Sequence, residues 1–344
     1  RDLDSSLVGS EMCIRDSDPE TRLFTIIAVH DMRLGPPLGG CRMWPYEDSG
    51  EALTDALRLS RGMTYKNALA GLDYGGGKAV IIGDPAHDKS PELLRAFGNK
   101  IDALGGLYIT GEDVGLTPAD MEIIADTTTH VRGTAQNLRG DPSPYTALGV
   151  FVGIQAALSH RFGSPELAGR KVSIQGLGNV GFALARYLHE AGADLVVSDI
   201  NPDTVARSVE EFGALVVDTR DAHRVEADVF APCALGAGLN ARTIPVLGAP
   251  IVAGSANNQL AEPGDGAILA AHDVLYAPDY VINAGGVIAL ARSHLAEQVL
   301  HAEICHIGDT LTAIFERADA EKQETNVVAD RMAEERLSAA QDRD

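Results

Sequence analysis

The chain has 344 residues, 45% apolar and 22% charged, with a formal net charge of −21. That is enough chain for two domains with sizeable cores, and enough negative charge to exclude nucleic acid as a partner. No apolar run is long enough to cross a bilayer, so no membrane partner is expected either.

The four cysteines, Cys13, Cys41, Cys233 and Cys305, are widely spaced, and the histidines include no His-Glu-x-x-His pattern. Neither a disulfide framework nor a metal site has support, and a reducing cytoplasm fits best. The chain starts with Arg1 rather than Met, and Arg1–Ser17 shows neither a helical nor a strand period. Residues 1–17 are expected to be disordered or foreign to the folded unit.

Leu23–His30, rich in β-branched residues, reads as a strand. In the following stretch, Leu34 to Pro45, two proline–glycine clusters bracket Leu38. There Gly39 and Gly40 either form a tight turn or bring backbone amides to a ligand carboxylate. Glu51–Ala70 has a helical period, with Leu53, Ala56, Leu57, Ser60 and Thr64 on one stripe. Met63 and Lys66, three apart near its end, share a face. Lys66 is open to two readings: a solvated charge complementing the helix dipole, or a group turned toward the same cleft as Lys78, twelve residues on.

Gly75, Gly76 and Gly77 run straight into Lys78, and Ala79–Ile82 behind it reads as a buried strand. This sets Lys78 at the mouth of a glycine turn, either as a surface lysine or as a poorly solvated amine suited to proton transfer. Pro91–Leu104 reads as a helix and Leu107–Thr110 as a strand. In Gly111–Asp120, Thr117 is a good N-cap, Pro118 suits the first helical turn and Asp120 completes a capping pattern. Asp113 then lies on a short loop after a strand end, as a ligand group or as an ordinary acidic loop residue. Alternating strands and helices predict an α/β sheet.

Asp141–Gly149, stiffened by two prolines, reads as a hinge, with a helix from Tyr145 to His160. Next, the strand Lys171–Gln175 runs into Gly176-Leu177-Gly178-Asn179-Val180-Gly181, a helix through Glu190, and the strand Leu195–Asp199. Strand, glycine turn, helix and terminal acid together are the context a dinucleotide site needs. Asp199 can hold ribose hydroxyls and would repel a 2′-phosphate, and no arginine follows it, so NAD is favoured over NADP. Strands at Val229–Ala231 and Ile251–Ala253 run into Pro232–Gly236 and Gly254–Asn258, at the end of a doubly wound sheet where ligands bind. Asn257 or Asn258 either bonds a carboxamide or forms an asparagine turn, and Asn283, beside Gly285 and Gly286 in an apolar stretch, carries a close-approach signature. Asp330–Leu337 reads as an amphipathic helix packed back on the first domain. The expected partition is 18–142, 143–325 and a C-terminal helix in 326–344.

These segments, in this order, resemble the glutamate/leucine/phenylalanine/valine family of amino-acid dehydrogenases, and within it the leucine-type enzymes. The resemblance is carried by Gly35-Pro-Pro-Leu-Gly-Gly-Cys-Arg-Met-Trp44, Arg61-Gly-Met-Thr-Tyr-Lys66, Gly75-Gly-Gly-Lys-Ala-Val-Ile81, Gly111-Glu-Asp-Val-Gly115, Asp141-Pro-Ser-Pro-Tyr-Thr146, Gly176-Leu-Gly-Asn-Val-Gly181, Ala253-Gly-Ser-Ala-Asn-Asn-Gln-Leu260 and Asn283-Ala-Gly-Gly-Val287. It covers Asp18 to Leu337; Arg1–Ser17 matches nothing in the family's pattern.

The resemblance implies an N-terminal α/β substrate and oligomerisation domain and a Rossmann NAD-binding domain, with the active site in the cleft between them, in a homo-oligomer. It also implies Lys78 as the catalytic lysine, Asp113 as its partner acid and Lys66 as the α-carboxylate ligand. Thr146 and Asn258 would be further cofactor contacts. Leu38, Met63, Val287 and Leu290 would line the side-chain pocket, with Gly111, where leucine enzymes usually carry alanine, enlarging it toward phenylalanine. The implied reaction passes hydride from the α-carbon of an apolar L-amino acid to the nicotinamide. Lys78 then assists water attack on the resulting iminium. Phenylalanine or valine as substrate, and an inactive NAD-binding protein, remain the alternatives.

Overall fold

The computed structural model describes residues 2–3, 12–134, 141–234 and 236–341. The chain forms two compact units, Arg1–Asp141 with Ala333–Asp344, and Pro142–Met332.

The first unit begins with strands β1 (Asp2–Leu3), β2 (Met12–Asp18) and β3 (Leu23–Asp31). The short β4 (Pro37–Leu38) and β5 (Cys41–Trp44) follow, then α1 (Ser49–Leu69), β6 (Gly75–Ile82), α2 (Pro91–Asp102) and α3 (Pro118–Ala125). The sheet runs β1-β2-β3-β6-β4, with β5 also on β6. The contacts from β1 to β6 are antiparallel, whereas β4 and β5 lie parallel to β6.

Side chains alternate across β3, so each face feeds its own core. Ile26 and Ala28 pack with Ala52 and Ala56 of α1, while Leu23 and Ile27 pack with Leu93 and Phe97 of α2 and Met121 of α3. Asp48 caps α1, and Thr117 with Asp120 closes the anticipated capping box on α3.

Three expectations for this unit need correction. Met12–Asp18 is not disordered: it is a full strand in register with β3 from Met12↔Val29 to Asp18↔Leu23. Its period was hidden because only Cys13 is buried on one face, while Asp16 on the other pairs with Lys100 at 3.1 Å. Residues 1 and 4–11 of that expected tail lie outside the described residues. Gly75–Gly77 is not a turn but the start of β6. Its glycines serve packing, since a Cβ on Gly76 would lie 2.0 Å from Thr64 Oγ1 and one on Gly77 2.6 Å from the Tyr108 ring. Finally, Leu107–Thr110 is no strand; only isolated bridges form, Ile109 to Leu38 and Thr110 to Val131.

The second unit opens with α4 (Ser143–Phe162), β7 (Lys171–Gln175), α5 (Asn179–Glu190), β8 (Asp194–Ser198), α6 (Pro202–Phe212) and β9 (Leu215–Val216). It continues with β10 (Val229–Pro232), β11 (Ile251–Val252), α7 (Asp265–Ala271), β12 (Leu275–Tyr276), α8 (Asp279–Ile282), α9 (Gly285–Ala291) and α10 (Glu297–Glu321). Its parallel sheet has the order β12-β11-β10-β7-β8-β9, so the direction of strand addition reverses between β7 and β10. That reversal is the switch point at which doubly wound sheets bind ligands. Leu235, beside it, lies outside the described residues.

The last helix, α11 (Thr325–Gln341), belongs to the second unit up to Met332 and to the first from Ala333. The Tyr280 hydroxyl bonds the Asp330 carboxylate within the second unit. Of the helix expected in 326–344 to pack on the first domain, the part from Ala333 belongs to the first unit.

Candidate active site

β6 runs through the interior of the first sheet, so Lys78 is only 5% exposed. A buried ammonium needs a counter-charge. Asp113 supplies it: Lys78 Nζ donates to Asp113 Oδ2, and Arg42 Nε lies 3.6 Å from the same oxygen. Arg42 is held in turn by Asp55 at 2.9 Å. Burial alone would push the Asp113 carboxyl up, but Lys78 and Arg42 more than reverse this and hold it well below the usual carboxylate range. Asp113 is thus a fixed negative charge against the amine.

Leu38, Gly39 and Gly40 come to the same place through strand register. Leu38 pairs with Gly76 and Cys41 with Ala79, so the break between β4 and β5 falls beside Gly77 and Lys78. The approach is close: a Cβ on Gly39 would lie 1.8 Å from Gly77 O and 3.2 Å from Met63 Cγ, and one on Gly40 2.9 Å from Asp113 Cβ. Met63 therefore lies against Gly39, and Leu38 is 2% exposed. Lys66, three residues beyond Met63, stands in the last turn of α1. That turn is fastened to the loop by Asn67, whose amide donates to Gly75 O at 2.7 Å and Leu38 O at 3.4 Å.

Gly111 accepts from Cys41 N–H at 2.8 Å. Among the described residues a Cβ there would meet only Arg132 O, at 3.7 Å, so the position has room. The structure therefore brings Leu38, Gly39, Gly40, Met63, Lys78 and Asp113 together, with Gly111 on the adjoining segment and Lys66 on the helix turn tied to it.

Four residues of this site were not singled out from sequence. Arg42 stands inside a recognised segment and Asn67 one residue beyond another, without any local mark of their long-range partners. Tyr108 donates to Gly39 O at 2.6 Å and Gly40 O at 3.2 Å, fixing the loop from beneath. Glu112 has a buried Oε2 with no partner, and burial, with Asp141, Asp113 and Asp120 nearby, pushes its carboxyl up to about 7.

In the second unit the glycine turn joins β7 to α5. Gly176 has φ +100°, and a Cβ on Gly181 would lie 2.0 Å from Gly176 O, so both positions need glycine. A Cβ on Gly178 would meet nothing within 4 Å among the described residues. Gly178 is also the N-cap of α5, which begins at Asn179-Val180 with no side chain bonded to its first N–H groups. Asp199 Oδ2 accepts from Leu177 N–H and Oδ1 from Asn201 N–H at 2.7 Å, joining the turn to the end of β8.

Asn283, 6% exposed, donates to Ser255 O at 3.1 Å and Asn257 Oδ1 at 2.9 Å, leaving its own Oδ1 buried with no partner. Asn258 sits at φ +51°, its carbonyl taken by Ala237 N–H at 2.7 Å. Thr146, in the first turn of α4, lies where a Cβ on Gly286 would be 2.5 Å from its Oγ1. Val287 and Leu290, three apart on α9, share one face. Open space at Gly178, uncapped amides on α5 and the orphaned Asn283 acceptor fit a dinucleotide with a terminal carboxamide.

The profile of the "Glu/Leu/Phe/Val dehydrogenase, dimerisation domain" matches residues 6–130, overlapping the segment expected to match nothing. That of the "Glutamate/Leucine/Phenylalanine/Valine dehydrogenase" matches 141–207 and 203–315. The leucine dehydrogenase of Geobacillus stearothermophilus is 54% identical over 325 residues, 93% of this chain and 88% of that protein. The valine dehydrogenase of Streptomyces virginiae is 47% identical, over 96% and 95%. The crystal structure of L-tryptophan dehydrogenase from Nostoc punctiforme superposes with a TM-score of 0.82 at 45% identity, covering 97% of both chains. The chain belongs to the glutamate/leucine/phenylalanine/valine dehydrogenase family.

Proposed function

We propose that the protein is an NAD-dependent dehydrogenase of branched-chain L-amino acids, converting L-leucine, NAD and water into 4-methyl-2-oxopentanoate, ammonium, NADH and a proton. The observation that carries this reading is the buried Lys78–Asp113 pair beside Leu38 and Met63. Relatives named for leucine and valine support the substrate class.

Lys66 is assigned to the substrate α-carboxylate. Bound NAD supplies the acceptor for the α-hydride, and an iminium is left on the substrate. In its neutral form Lys78 Nζ takes a proton from the water adding to the iminium carbon, Asp113 compensating the charge so formed, and returns it as ammonia leaves; the proton released overall is the one the substrate's own ammonium gives up before hydride transfer. Leu38 and Met63 offer the side chain an apolar wall. A glutamate carboxylate buried there without a partner would cost several kcal/mol.

The room at Gly111 favours a second reading, in which phenylalanine is also accepted. A homo-oligomer is supported by the match of the first unit to a dimerisation domain. Four free cysteines support a reducing, cytoplasmic setting. NADH formation measured with leucine, valine, isoleucine, phenylalanine and glutamate tests the reading: aliphatic substrates should lead, and activity with glutamate alone would contradict it.

A further inference from the structure

Nothing in the chemistry above uses the end of α11, yet it is built onto a sensitive place, the C-terminal end of α1. Arg336 Nη1 donates to Ala68 O, Nη2 donates to Leu72 O at 3.0 Å, and Asp73 Oδ1 lies 3.3 Å away. Ala68 O, which also accepts from Gly71 N–H at 3.2 Å, belongs to the last turn of α1 and Leu72 O lies just beyond it, so the guanidinium ties the end of the helix to the segment that leaves it. Two residues earlier, Glu334 accepts from the Tyr65 hydroxyl at 2.7 Å and lies 3.4 Å from Arg33 Nη2. Tyr65 and Asn67 are the chain neighbours of Lys66. One is held by α11, the other by Leu38 O and Gly75 O.

We propose that Arg336 and Glu334 are positioning residues, which fix the last turn of α1 and so aim Lys66 at the substrate carboxylate. The proposal rests on the assignment of Lys66 made above. A long, rotamer-rich lysine binds an anion well only if its backbone is already ordered, because ordering on binding subtracts from affinity. Helix ends without such partners open locally. Losing the brace should weaken the amino acid equally in ground and transition states, which raises KM and leaves kcat in place.

The test compares Arg336→Ala, Arg336→Lys and Lys66→Met in the full chain, with KM for L-leucine, KM for NAD, kcat and the thermal midpoint. Arg336→Ala should raise KM for leucine about tenfold, with kcat and KM for NAD within about twofold. Arg336→Lys, able to reach one of the two carbonyls, should recover part of the loss. Lys66→Met should raise KM further. Arg336→Ala at wild-type KM beside a raised KM in Lys66→Met overturns the brace alone, even if the midpoint falls. Wild-type KM in Lys66→Met overturns the Lys66 assignment and the brace with it. Should Arg336→Ala not fold, Glu334→Gln, which weakens the Tyr65 and Arg33 contacts and keeps the side chain's shape, is read by the same criterion at about threefold.

Discussion

Lys78 and Asp113 stand 35 residues apart in sequence and meet as a buried ion pair, amine on β6 and carboxylate on the segment beside β5. Arg42 approaches the same carboxylate oxygen at 3.6 Å. Asp55 holds Arg42 at 2.9 Å, so Asp113 is left as the close counter-charge of Lys78.

Lys78→Ala should lower kcat about a thousandfold, the scale of a lost acid–base group, with KM for NAD little changed. Steady-state kinetics on a variant whose circular dichroism matches wild type is the check; full turnover would remove Lys78 from the mechanism.

Asp113→Asn should abolish turnover and destabilise the protein by about 3 kcal/mol, because it leaves Lys78 buried without its counter-charge. The Asp113 carboxyl is lowered in the folded state from its ordinary 3.8, so its stabilisation is present above that value and lost as pH falls below it. Urea midpoints of wild type and Asp113→Asn should differ by a constant amount above about pH 5 and converge in acid.

Glu112 behaves in the opposite sense. Its carboxyl is raised from 4.5 to about 7, so folding favours the protonated form. Its contribution is complete below 4.5 and lost as pH rises through about 7. The group is partly exposed, and the effect should be modest. Glu112→Gln should gain stability relative to wild type between pH 5 and pH 8 in urea titrations, since it lacks the charge that Asp113, Asp120 and Asp141 repel.

Gly76→Ala should cost about 3 kcal/mol, since its Cβ would lie 2.0 Å from Thr64 Oγ1 and 2.3 Å from Thr64 N, where neither β6 nor α1 can yield. Thermal unfolding reads this directly. A midpoint equal to wild type would show that the glycines of β6 are not there to let α1 approach.

What the sequence displayed was local. The strand Lys171–Gln175, the turn at Gly176–Gly181 and the start of α5 were legible because strand period, glycines and helix follow one another within a few residues. The capping box of Thr117 and Asp120 was legible for the same reason. What it concealed depends on distant partners. Met12–Asp18 becomes a strand through β3 and Lys100, and Gly75–Gly77 become strand rather than turn by pairing with β3 and β4, with α1 set against Gly76 and Tyr108 against Gly77. Asn67 carries no local sign that its amide will reach Leu38 and Gly75.

The most direct test of the account follows the α-hydrogen itself. The enzyme is incubated with NAD and L-leucine deuterated at the α-carbon, and the reduced nicotinamide is examined by mass spectrometry while ammonium is assayed. One deuterium per reduced cofactor and one ammonium per turnover are predicted. Deuterium released to solvent, or NAD bound without reduction by any apolar amino acid, would contradict it.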